Sequence, residues 1–110
     1  MRKILKSYNL DKKEAYNVLN MNPERLANHI GETFEVAGYA VTVTEDDATG
    51  EKSYGFTFKT PDGEYLGTGG KAFVEGVLTF LECFEPSELN KVTVGSKSSR
   101  QGREYLVFIA

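Results

Sequence analysis

The chain has 110 residues, 40% of them apolar, with seven Phe, six Tyr, no Trp and a formal net charge of −3. That is enough apolar mass for one domain with its own core, so neither a disulfide nor a metal staple is required. One Cys and one His exclude an internal disulfide and a Cys/His zinc cluster, and the negative balance excludes a uniformly basic nucleic-acid coat while allowing a local cationic patch.

At the N-terminus, Met1-Arg2-Lys3-Ile4-Leu5-Lys6 has no apolar core segment behind its basic residues, and no run approaches membrane-spanning length. A cytoplasmic protein with no membrane partner is expected. Asp11 is placed to cap a helix with Glu14 as its capping-box partner, and Ala15, Val18 and Leu19 form an apolar stripe with Tyr16 at its edge. Asn22-Pro23-Glu24 reads as a second helix start, with Leu26, Ala27 and Ile30 facing inward and Gly31 ending it. Residues 1–31 are therefore predicted as a helical extension, two short helices or a helix and a turn, ahead of a domain at 32–110.

A long first strand is predicted over Thr33–Glu45. Phe34 and Val36 share one parity and Val41 and Val43 the other, which requires an extra residue, and Gly38 is the natural place for a bulge. Small barrels need such a bend in their first strand. Glu45-Asp46-Asp47, followed by Thr49-Gly50, reads as an acidic hairpin turn. The next strand, Ser53–Thr60, sets Tyr54, Phe56 and Phe58 against small or polar neighbours, and Thr60-Pro61-Asp62-Gly63 is a strong hairpin signal. Glu64–Thr68 is the third strand. A helix over Lys71–Phe84 carries Phe73, Val74, Val77, Phe80, Leu81 and Phe84 on one face, with Pro86 stopping it. Cys83, flanked by Leu81 and Phe84, is expected to be a buried inert thiol. Lys91–Gly95 and Arg103–Ala110 make the last strands around a Ser96–Gly102 turn.

This order predicts a mostly β fold with minor α: a five-stranded OB-fold-like Greek-key barrel with a helix between strands three and four and a short helical N-terminal extension. Such barrels bind oligonucleotides and oligosaccharides. The Gly95–Arg103 stretch holds Lys97, Arg100 and Arg103 with serine hydroxyls and glycines, the chemistry that holds phosphates. Phe residues are expected in the core, whereas Tyr39, Tyr54, Tyr65 and Tyr105 have a polar end suited to a wet stacking face. Lys52, Lys59 and Lys71 lie beside them in sequence. Gly67-Thr68-Gly69-Gly70-Lys71 lacks the spacing of a nucleotide-binding loop and reads as a tight strand-to-helix turn. His29, in the N-terminal region, has no partner for nucleophilic catalysis, and Asp46 and Asp47 look like turn residues, so no enzyme, metal or cofactor is expected.

The segments Phe58-Lys59-Thr60-Pro61-Asp62-Gly63, Tyr65, Ala72–Phe84 and Val92–Tyr105 resemble the small single-stranded DNA-binding proteins of terminal-protein-primed phages of Gram-positive bacteria and related plasmid and phage proteins. The likeness covers roughly residues 33–110. It implies an OB-fold protein that coats displaced single strands during replication, in the bacterial host cytoplasm, without sequence reading or catalysis. It also implies DNA contacts near the first hairpin and the strand 2–3 region, which map to Tyr39, Tyr54 and Tyr65. The expected partner is single-stranded DNA, with RNA and self-association left open. The alternative is a small β-barrel interaction module, such as a phage inhibitor of a host protein, using the same aromatic face.

Overall fold

The computed structural model describes residues 2–110; Met1, the first residue of the expected extension, lies outside them. Its elements are β1 (Arg2–Tyr8), α1 (Lys12–Asn20), β2 (Glu24–Arg25), a 3-10 turn at Leu26–His29, β3 (Thr33–Glu35), β4 (Gly38–Glu45), β5 (Lys52–Lys59), β6 (Tyr65–Thr68), α2 (Lys71–Cys83), a 3-10 turn at Pro86–Glu88, β7 (Lys91–Ser98) and β8 (Glu104–Ile109). The molecule is mostly β. One sheet is ordered β1-β4-β5-β6-β2 and the other β3-β7-β8, and no pairing among the described residues joins β6 to β8 to close them.

The stretch expected as one long strand splits at Val36 and Ala37. Phe34 pairs with Val92 of β7, whereas Tyr39 pairs with Phe58 of β5. Between them the Val36 N–H donates to the Asn90 carbonyl (2.9 Å) and the Ala37 N–H to the Lys59 carbonyl (2.8 Å), handing the chain from one sheet to the other. The parity change is thus a crossing between sheets, not a bulge inside one strand. Gly38 is needed at the crossing because a Cβ there would lie 2.6 Å from the Asn9 carbonyl oxygen.

The core sits between the sheets and α2. Tyr39, Val41, Phe56, Phe58 and Leu66 come from the larger sheet, Val92 and Val94 from β7, Phe73, Val74 and Val77 from α2, and each is at most 2% exposed. The apolar stripe of α2 seats it on β8, with the Phe108 ring 5.7 Å from those of both Phe73 and Phe80. The far end of the stripe behaves differently from expectation. Pro86 disfavours helical backbone at Glu85, α2 stops at Cys83, and Phe84 becomes its C-cap. Phe84 is consequently 49% exposed, stacked on Phe80 at 4.5 Å, and Cys83 is exposed instead of buried.

The turns follow their chemistry. Gly63 adopts φ +89° and donates to the Thr60 carbonyl at 3.0 Å, and Asp46 Oδ1 accepts from the Ala48 N–H at 2.8 Å. The expected capping box also forms: the Glu14 N–H donates to Asp11 Oδ1 (2.8 Å) and the Asp11 N–H to Glu14 Oε1 (3.1 Å).

The N-terminal region departs most from the sequence reading. Arg2–Tyr8 is a strand, antiparallel to β4 from Arg2 opposite Thr44 to Tyr8 opposite Tyr39, with a register shift between Ile4 and Lys6. α1 packs on β1 and β4, and Val18 is buried. Pro23 starts no helix. It lies over Gly67, where a Cβ would come 3.1 Å from Pro23 Cγ, and Glu24–Arg25 then runs parallel to β6. The following 3-10 turn buries Leu26 before Gly31 turns the chain at φ +90°.

Candidate nucleic-acid interface

Along β5 the side chains of Tyr54, Phe56 and Phe58 point to one face. Phe56 and Phe58 are fully buried, whereas Tyr54 is 43% exposed. Among the described residues, Tyr54 lines three concavities. A groove of about 550 Å³ lies on the opposite face of the sheet, walled by Arg2 and by Asn22, Pro23 and Arg25, and floored by Thr42, Thr44, Ser53, Gly55, Gly67 and Thr68. A second cavity of about 570 Å³ is bounded by Tyr54, Val74 and Leu78, with Lys52, Lys71 and Glu75 at its rim. A smaller one, about 210 Å³, holds Lys3, Leu5, Val43, Glu45 and Lys52 against the same tyrosine.

The backbone explains the smooth floor of the groove. Ser53, Gly55 and Thr57 alternate with the aromatic residues of β5, so they face away from the core beside Thr42 and Thr44 of β4. A Cβ at Gly55 would lie 2.9 Å from Thr42 Oγ1, and one at Gly67 2.8 Å from the Phe56 carbonyl oxygen. Both positions are close approaches, and the result is a surface of hydroxyls and bare backbone.

Of the residues singled out from sequence, Lys52, Tyr54 and Lys71 come together here. Tyr39 does not. It is 1% exposed, its hydroxyl donates to the Pro86 carbonyl at 3.1 Å, and Tyr8 stacks on it with ring centroids 5.8 Å apart. Burial raises its phenol pKa above the ordinary value. Lys59 is also withdrawn, its ammonium ion-paired with Glu14 of α1 and its side chain mostly buried. The bond to Lys59 and the Asp11 backbone bond hold the Glu14 carboxyl below its usual pKa. Tyr65 pairs with Lys59 at the other end of β5 and is half-buried, five residues, or about 17 Å, from Tyr54.

The β7–β8 hairpin carries a separate group. Lys97 lies opposite Tyr105, which is 41% exposed, and Arg100 and Arg103 belong to a turn closed by the Ser99 N–H donating to the Arg103 carbonyl at 2.7 Å. None of these four residues lines the concavities around Tyr54. Arg2, Lys3 and Arg25 were the residues missed from sequence, since their place at the site depends on β1 and β2.

His29 lies elsewhere, with Nε2 2.9 Å from Glu24, Nδ1 2.7 Å from Glu32 and its ring edge-on to Phe34. The hydrogen bonds to Glu24 and Glu32 raise its pKa. Among the described residues, no group of three or more His, Cys, Asp and Glu side chains is arranged to hold a metal ion, and no helix is long and apolar enough to cross a membrane. Comparison of the chain with protein-family models, curated proteins and solved structures finds no match.

Proposed function

We propose that the protein binds single-stranded nucleic acid, DNA in the first instance, around Tyr54, and that its two sheets are an opened OB-type barrel. The order β4, β5, β6, α2, β7, β8 and the crossing from β3 to β4 support that fold assignment. The observation that carries the function is an exposed tyrosine ring with Lys3, Lys52 and Lys71 lining the cavities beside it, and Arg2 and Arg25 in the groove on the other face of the same strand. Single strands are held without sequence preference by bases stacked on aromatic rings beside cations that follow the backbone. In the phage-type role, the protein coats displaced strands during replication, with no catalytic step.

Tyr54 separates stacking from charge. Replacing it with Ala removes a ring worth about 1–3 kcal/mol per stacked base, so affinity for oligo(dT) should fall by about five- to 150-fold, while Tyr54→Phe should bind nearly as wild type. Circular dichroism should show both variants folded, because the ring is 43% exposed. Equal binding by Tyr54→Ala and wild type would remove the ring from the interface.

A further inference from the structure

We infer that the groove between Arg2 and Arg25 holds the phosphodiester backbone, while bases occupy the opposite side of Tyr54, in the cavity bounded by Val74 and Leu78; this rests on the single-strand reading above. The two concavities differ in chemistry. The groove presents two guanidinium groups above the hydroxyl-bearing Thr42, Thr44, Ser53 and Thr68, and its lining contains no carboxylate. Among the described residues neither Arg2 nor Arg25 forms an ion pair. Guanidinium forks, hydroxyls and bare backbone are the partners of phosphate oxygens. The second cavity is walled by a phenol ring and two aliphatic side chains, a surface for the flat faces of bases.

Arg2 stands opposite Thr44 at the start of β1, and Arg25 opposite Gly67 in β2, so both walls of the groove come from the N-terminal segment. That segment is therefore part of the binding site. α1 then limits the groove at its other end, where Glu14 occupies Lys59 and Ala40 is fully buried.

The test is the salt dependence of oligo(dT) binding by the full chain. Each phosphate neutralised on a single strand contributes about 0.7 to the slope of log affinity against log salt. Arg2→Ala and Arg25→Ala should each lower the slope by about 0.7, and together by about 1.4. Arg25→Lys should keep it, and Lys13→Ala, an exposed cation on α1 outside the groove, should leave it unchanged. Tyr54→Ala should weaken binding without altering the slope. If wild type binds with a steep slope that the arginine variants retain, the backbone lies elsewhere and only this inference falls. The same result follows if Lys13→Ala lowers the slope equally, since net charge then explains the effect. If wild type shows no salt-sensitive binding at all, the single-strand reading falls and the groove assignment with it.

Discussion

At the scale of single residues, burial decides which aromatics can touch a ligand. Tyr39 and Tyr54 sit on neighbouring strands and face the same way, yet one is 1% exposed and the other 43%. Tyr39 serves the core, with its hydroxyl held by the Pro86 carbonyl. Tyr39→Phe should cost about 1 kcal/mol of stability, typical of one hydrogen bond, and leave oligonucleotide affinity unchanged; chemical denaturation and a binding titration read the two separately. His29 gives a pH signature. Its two carboxylate partners raise its pKa above the ordinary 6.5, so the stabilisation is complete below 6.5 and is lost as pH rises through the higher folded value. The melting temperature of wild type should therefore decline on the alkaline side of 6.5 more than that of His29→Gln. Parallel curves would show that the contacts to Glu24 and Glu32 carry no pH-dependent stability.

At the scale of elements, the join between the sheets is the most sensitive point. β4 begins at Gly38 under the turn that links β1 to α1, and a methyl group there would meet the Asn9 carbonyl at 2.6 Å. Gly38→Ala should cost about 1–3 kcal/mol through overpacking, seen as a lower denaturation midpoint with the sheet signal retained; a midpoint equal to wild type would mean that the turn shifts freely. α2 and the Thr60–Gly63 hairpin were legible in the sequence because their signals are local, a period near 3.6 and a turn with Pro and Gly in their preferred places. β1 was not. Its bulge between Ile4 and Lys6 puts Ile4 and Leu5 side by side and breaks the alternation that marks a strand. Missing β1 also misplaced Tyr39, whose exposed edge β1 covers with Tyr8, and hid Arg2. Lys59 was misread for a related reason, as its partner Glu14 lies 45 positions away in α1. Lys52, Tyr54 and Lys71, singled out for the polar end of the tyrosine and for lysines near the tyrosines in sequence, do line one cavity.

At the scale of the whole molecule, a net charge of −3 conceals an uneven distribution. Arg2, Lys3, Arg25, Lys52 and Lys71 gather around Tyr54, with Glu45 and Glu75 as the acids lining the same concavities. Attraction to a polyanion depends on that local arrangement, and added salt should weaken it steeply. Single-strand binding is tested by a fluorescence-anisotropy titration of labelled oligo(dT) with the wild-type protein, at low and at moderate salt, with duplex DNA as competitor. Saturable binding that weakens as salt rises and that duplex displaces poorly is the expected result. No binding at low salt, or equal affinity for duplex and single strand, would contradict it.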